Sequence, residues 1–235
     1  MEEKGFYEYA SHYDEWFMEN ENVLQSELKV VAYFLKPDCK ILSVGCGSGL
    51  FEMLLKKQYG ISITDGIEPS EGMAEIARKR GLNVTIGNAE DTELGAEEYD
   101  IILFNGTPSY IDDLSSSFAN AYKALRNGGK IIVIDVPKES SYGLLYNLAL
   151  ALNTWDHPLL KGVFPRNPYP IEFVRAAHWR TTGEMTDSLK KAGFTDMKYA
   201  QTLTKHAVYS NNAVEEPTEG YDAGDYVAIC ATKTK

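Results

Sequence analysis

From residue 40 onward, short continuous apolar runs alternate with longer amphipathic ones. Residues 40–44, 61–67, 82–86, 99–104 and 130–136 are the apolar runs and read as strands. Residues 49–58, 70–79 and 113–125 lie between them with apolar positions at helical spacing, Met73, Ile76 and Ala77 marking the second. Strands that are apolar on both faces and separated by helices require a parallel sheet covered on both sides. The sequence Asn127-Gly128-Gly129 is expected to close the third helix.

Both ends of this alternation carry additions. Residues 6–18 hold Phe6, Tyr7, Tyr9, Tyr13, Trp16 and Phe17, and the last four recur at helical spacing. This segment reads either as a helix packing an aromatic face on the domain or as a lid over a ligand. A second helix is expected over 23–35, with Leu24, Leu28, Val31 and Leu35 on one face and Pro37 ending it. After Pro137 the alternation stops. Residues 138–180 hold one apolar helix, about 142–153, and then a loop rich in proline. An insertion after a parallel strand lies where doubly wound folds bind ligands, so a substrate cap and a structural excursion are both open. Thr181-Thr182-Gly183-Glu184 reads as a capping box for a helix reaching Lys191. Residues 197–203 and 226–232 read as a closing strand pair, with an acidic loop over 215–225 between them.

Composition narrows the function classes. The 235 residues carry a net charge of −11, which argues against a nonspecific nucleic-acid partner or an anionic membrane surface. Cys39, Cys46 and Cys230 form no Cys-x-x-Cys pair, so neither a zinc site nor a disulfide framework is suggested. Residues 142–152, interrupted by Asn147, are too few to span a bilayer, and Met1-Glu2-Glu3-Lys4 lacks the apolar core of a signal peptide. A reducing, cytoplasmic setting is expected. No His/Asp/Glu spacing resembles a metal site, and no Gly-x-Ser-x-Gly turn suggests a hydrolase.

Three signals fall at consecutive strand ends. Gly45-x-Gly47-x-Gly49 differs from the dinucleotide fingerprint, because its third glycine comes one residue early and Leu50 holds the expected position. Glu68, followed by Pro69-Ser70, can accept hydrogen bonds from both hydroxyls of a ribose. Gly87-Asn88-Ala89-Glu90-Asp91 offers a short polar side chain beside a free backbone N–H, a pair suited to an adenine edge.

With Ile41-Leu42-Ser43-Val44-Gly45-Cys46-Gly47-Ser48-Gly49, Gly66-Ile67-Glu68-Pro69-Ser70 and Met73, Gly87 to Asp91, Tyr99-Asp100-Ile101-Ile102, and Leu125 to Lys130 in this order, the chain resembles a class I S-adenosylmethionine-dependent methyltransferase. The resemblance is strong over residues 41–136. It implies a Rossmann-like, doubly wound α/β fold with a mostly parallel sheet of about seven strands and an antiparallel last strand. It also implies N-terminal helices over 1–36 as a lid, a core formed by 37–137 and 181–235, and an inserted cap over 138–180. Gly45, Cys46, Gly47 and Gly49 would line the methionine and ribose portion of the cofactor, and Glu68 would hold the ribose. Pro69 and Met73 would lie near the adenine, Asn88 and the Ala89 N–H would reach its edge, and Asn105 would sit by the sulfonium. S-adenosylmethionine is the implied cofactor, S-adenosylhomocysteine the product, and no metal is implied.

There are two departures from the family pattern. The family usually has an acid where Ser43 stands, helping to hold the cofactor's ammonium end, and Asn88 is often an aspartate. Each hydrogen bond to a charged group contributes roughly 1.5–3 kcal/mol, so weaker cofactor binding follows unless Asp14 or another acid compensates. Methyl transfer from a sulfonium needs alignment and exclusion of water more than acid–base chemistry. Tyr9, Tyr13, Trp16, Tyr110 and Trp179 are candidates to face the cation. Tyr13, His12 and His178 are the candidate catalytic groups. The expected partner is a small molecule rather than nucleic acid or membrane, with the chain a monomer or homodimer. A cofactor-binding protein without catalysis and a nicotinamide oxidoreductase remain the alternatives.

Overall fold

The computed structural model describes residues 4–234, and side chains from His12 onward. Phe6, Tyr7 and Tyr9 therefore fall outside the described side chains. The chain opens with helices α1 (Lys4–Glu19) and α2 (Glu21–Phe34). It then alternates through β1 (Ile41–Val44), α3 (Leu50–Tyr59), β2 (Asp65–Glu68), α4 (Glu71–Lys79), β3 (Asn83–Ile86), β4 (Tyr99–Asn105), α5 (Leu114–Ala124) and β5 (Leu125–Asp135). Next come α6 (Ser141–Leu152), α7 (Ile171–Ala176), α8 (Thr182–Lys191), β6 (Phe194–Thr202), β7 (Thr218–Glu219) and β8 (Tyr226–Lys233).

The eight strands form one sheet in the order β3-β2-β1-β4-β5-β8-β6-β7. β1 to β5 are mutually parallel, and β8 runs antiparallel between β5 and β6. The chain winds outward from β1 to β3 and then crosses back to β4 on the other side of β1, so the C-terminal ends of β1 and β4 flank the switch point where such sheets hold ligands. Residues along β4 alternate between faces. Ile101 and Leu103 join a core with α2 and α3, whereas Ile102 and Phe104 join one with α5 and α8. Burial on both sides explains why the strands read as continuous apolar runs.

The differences from expectation have local causes. Ile61 and Ile63 are buried, but β2 starts only at Asp65, where its pairing with Leu42 of β1 begins. Asn127-Gly128-Gly129 does not close a helix. α5 already ends at Ala124, and the glycines lie in a shift of register where β5 pairs first at Tyr99 and then at Ile101 of β4. The eighth strand is the two-residue β7, paired with β6 inside the acidic loop. The capping box at Thr181 and Glu184 is present, each backbone N–H donating to the other's side chain at 2.7 and 3.1 Å. α2 buries Val23, Leu24, Leu28, Val30 and Val31 in the sheet core, while α6, α7 and their flanks build a separate aromatic cluster around Tyr142, Tyr146 and Trp179. No helix of the described residues is long and apolar enough to cross a membrane.

Candidate functional site

At the end of β1 the backbone turns back on itself. The N–H groups of Gly45 and Cys46 both donate to the Ile67 carbonyl, at 2.8 and 3.0 Å. Gly45, Gly47 and Gly49 all have positive φ, but their surroundings differ. A Cβ on Gly45 would lie 2.3 Å from Thr107 Cγ2, and one on Gly49 would press on Ala77 and Leu82 at 3.3 Å. A Cβ on Gly47 would meet nothing within 4 Å. Two of the glycines thus serve packing, and the middle one borders open space. The Cys46 side chain turns away to pack with Ala77 and Leu82, its Sγ taking the room a Cβ on Gly66 would need.

The open space is a cavity of about 460 Å³ across the ends of the parallel strands. Its walls include Gly45 and Gly47 from the turn, Glu68, Pro69 and Met73 from the β2–α4 junction, Asn88 and Ala89 after β3, and Asn105 at the end of β4. Glu68 is buried. One carboxylate oxygen accepts the Gly47 N–H and the other the Ser70 N–H, both at 2.9 Å. Burial pushes its carboxyl up to about 7, opposed by these two backbone donors. Ser70 also caps α4, accepting from the Met73 N–H. Asn88 folds onto its own turn, its side-chain oxygen accepting the Asp91 N–H at 2.7 Å. The Asn120 side chain holds the next two residues by donating to the carbonyls of Ala89 and Glu90. The side-chain oxygen of Asn105 accepts from the Tyr226 hydroxyl at 2.9 Å.

The remaining walls come from distant chain segments. Tyr13 enters from α1 and Tyr110 from a single 3-10 turn after β4, Pro108–Tyr110. The hydroxyls of Tyr110 and Tyr169 lie 3.2 Å apart, and Tyr169 packs edge-on against Trp16. Tyr13 meets Phe173 edge-on, and the Trp155 indole donates to the Tyr169 carbonyl at 2.9 Å. Burial raises the hydroxyls of Tyr13, Tyr110 and Tyr169 well above the usual range, so all three are neutral near pH 7. Two buried acids share this side. Asp135 accepts from the Ser109 and Val136 N–H groups and is pushed by burial to about 6, and Glu27 on α2 is pushed to about 8.

The candidate bases divide by place. His178 is exposed, its Nε2 3.3 Å from Asp112 Oδ1, and His12 is exposed on α1; neither borders the cavity, whereas Tyr13 does. Trp179 is buried against Tyr146 rather than in the cavity wall. Asp14 is committed elsewhere. It accepts from Ser48 Oγ at 2.6 Å and pairs with Arg80 at 2.5 Å, and Arg80 also donates to the Ser48 carbonyl at 2.8 Å.

Four side chains that sequence reasoning missed also bear on the site: Thr107, whose hydroxyl lies within 3.2 Å of the Val44, Gly45 and Asn105 carbonyls; Asp135; Glu27; and Glu52. Glu52 sits on α3, 4% exposed, with Oε1 accepting from Ser43 Oγ at 2.6 Å. An acid on the buried face of an otherwise apolar helical stretch was the available signal for both glutamates.

A family of methyltransferase domains matches residues 42–133. The chain is 31% identical over 228 residues to an uncharacterised protein of Methanocaldococcus jannaschii, covering 97% of this chain and 98% of the relative. It is 29% identical over 159 residues to a malonyl-[acyl-carrier protein] O-methyltransferase of Ilyobacter polytropus, covering 65% of this chain and 54% of that enzyme. Among solved structures, an S-adenosylmethionine-dependent methyltransferase of Thermotoga maritima, described as a possible histamine N-methyltransferase, superposes with a TM-score of 0.83 at 34% identity. It covers 98% of this chain and 99% of its own. With the strand order, the glycine turn and the near full-length likeness agreeing, the chain belongs to the S-adenosylmethionine-dependent methyltransferases.

Proposed function

We propose that the cavity binds S-adenosylmethionine and that the chain transfers the methyl group to a small-molecule amine by in-line displacement. One observation carries this reading: Glu68 joins the β2 end to the glycine turn through the Gly47 N–H, at the edge of a cavity that Gly47 leaves open. A carboxylate oxygen keeps acceptor capacity after one backbone bond, so Glu68 can still receive ribose hydroxyls. Pro69 and Met73 would flank the adenine, with the Ala89 N–H and, once turned from Asp91, Asn88 at its edge. The backbone of Gly45, Cys46 and Gly47 and the Asn105 carbonyl would border the methionine portion, with Tyr13 covering it, whereas Gly49, expected there too, lines neither the cavity nor its edge.

When bound, the cofactor supplies a methyl group already activated by its sulfonium. The chain's own groups need to align an acceptor and keep water out. Tyr13, Tyr110 and Tyr169 suit that task because their buried hydroxyls stay neutral and can donate hydrogen bonds without acting as bases. An amine in its neutral, free-base form brings its own lone pair and needs no base at the moment of transfer, the proton leaving to solvent before or after the step. The likeness to a possible histamine N-methyltransferase supports the same acceptor class. In this reading α1 is the lid and residues 138–180 the cap over the acceptor end.

Calorimetry tests the cofactor half. S-adenosylmethionine and S-adenosylhomocysteine bind and NAD does not; failure of both sulfur ligands, or tight NAD binding, overturns it. A screen of small amines for S-adenosylhomocysteine release tests the acceptor half. Cofactor binding with no turnover across amines, alcohols and thiols would leave a binding protein instead.

A further inference from the structure

Beside the main cavity, a smaller one of about 20 Å³ opens between the glycine turn and α3. It shares Tyr13, Gly45, Gly47 and Asn105 with the main cavity and reaches inward to Glu52. That volume is enough for one water-sized group. Glu52 Oε1 is taken by Ser43, but Oε2 is fully buried and has no hydrogen-bond partner. A buried carboxylate oxygen without a partner costs roughly 1–3 kcal/mol or more, so an arrangement that keeps one calls for an explanation.

We propose that Glu52 is the receptor for the α-ammonium group of the cofactor, which enters the small cavity and bonds Oε2. The inference rests on the cofactor reading above. It resolves the problem posed by Ser43: the acid missing from the strand is supplied from the facing helix, and the serine hydroxyl holds that acid in place. Of the other acids near the turn, Asp14 is already spent on Ser48 and Arg80, and Glu68 accepts the Gly47 and Ser70 N–H groups. An ammonium carries three donors on one nitrogen and fits a cavity that a larger guanidinium would not enter. Asn105 lines the wall that the two cavities share. Burial raises the Glu52 carboxyl, while the Ser43 hydroxyl, the residue's own backbone and the Arg80 charge lower it, and a cation at Oε2 would favour the ionised form further.

The test compares two ligands. S-adenosylhomocysteine carries the α-amino group; 5′-methylthioadenosine shares the nucleoside and lacks the amino-acid end. Glu52→Gln keeps the shape of the side chain and the Ser43 bond. It is expected to weaken S-adenosylhomocysteine at least tenfold and leave methylthioadenosine within twofold. Ser43→Asp placed in the Glu52→Gln background returns an acid to the strand and is expected to recover most of the lost affinity. Equal affinity of both ligands for wild type and Glu52→Gln overturns the proposal, and so does an equal loss for both, which marks a purely structural glutamate. If wild type binds neither ligand, the cofactor reading fails first, whatever Glu52 does.

Discussion

The two sides of the main cavity are built by different means. The glycine-turn side consists of backbone groups and short side chains at the ends of β1, β2, β3 and β4, fixed by the sheet itself. The tyrosine side consists of Tyr13 from α1 and Tyr110 from the turn after β4, backed by aromatic side chains of residues 155–173 and held by contacts such as the Trp16 indole donating to the Pro168 carbonyl, 152 residues away. A backbone-built surface tolerates little change and suits a ligand common to a whole family. A side-chain-built surface can be rewritten residue by residue and suits the ligand that distinguishes its members. The buried acids do not divide so cleanly: Glu68 on one side and Asp135 on the other each accept two backbone N–H groups, whereas Glu27, beside the tyrosines, is met mainly by burial.

That contrast can be broken first through Glu27, where the largest effect is expected. Its folded-state carboxyl lies near 8 against an ordinary value of 4.5, so the folded protein holds the proton more tightly than the unfolded chain. Stability is then highest below about pH 4.5 as far as this group is concerned, and falls as the pH rises toward 8, by on the order of 4 kcal/mol for a shift of this size. Glu68, near 7, and Asp135, near 6, contribute in the same direction over narrower windows. Glu27→Gln is expected to flatten the fall in melting temperature between pH 5 and 8.5 and to raise stability at the alkaline end. An unchanged pH profile would mean that Glu27 ionises freely and that the tyrosine side is wetter than described.

Gly45→Ala addresses the other side. Its Cβ would sit 2.3 Å from Thr107 Cγ2 at a φ of +70°. Left-handed strain and overpacking together are expected to cost about 3 kcal/mol. Gly47→Ala carries only the strain in the free protein, since nothing lies near its Cβ, but the added methyl intrudes on the cavity. Chemical denaturation should therefore rank Gly45→Ala as the worse folder, and calorimetry should rank Gly47→Ala as the worse binder relative to its stability. Reversal of that order would remove Gly47 from the ligand surface.

Glu68→Ala is expected to weaken S-adenosylmethionine at least tenfold, about 1.4 kcal/mol, with a smaller loss of stability. Unchanged affinity would remove Glu68 from the site. This residue also shows what was legible in the chain. The strand ends could be found because continuous apolar runs locate parallel strands, and a parallel strand's C-terminal end is where this architecture presents its ligand groups. Gly45, Glu68 and Asn88 can be assigned to strand ends on that basis alone. Glu52 and Glu27 cannot be found so, because their importance depends on which way a helix faces and on what else is buried there. Ser43 looked like a missing charge in one dimension and is half of a pair in three. The register shift at Asn127-Gly128-Gly129 was hidden for a similar reason: the same glycines serve a helix stop or a bulge, and only the pairing with Tyr99 decides between them.

The smallest effect concerns the link between the two sides. Asp14 on α1 is joined to the glycine turn through Ser48 and to the end of α4 through Arg80, and both charged side chains are largely buried. α1 also carries Trp16, which is fastened to the inserted segment 138–180 by its bonds to Asn167 and Pro168. If the turn holds the cofactor as proposed, its occupancy is expected to be felt at residues 138–180 through α1. Asp14→Asn keeps the size of the side chain and removes its charge, a change of about 1 kcal/mol for a partly buried pair. Hydrogen exchange of the amides over residues 12–19 is expected to quicken about fivefold in the variant. In wild type, S-adenosylhomocysteine should slow that exchange, and in Asp14→Asn the protection should shrink while affinity changes by less than threefold. Equal protection in both proteins would mean that α1 follows the tyrosine side alone, and that the two halves of the cavity bind their ligands independently.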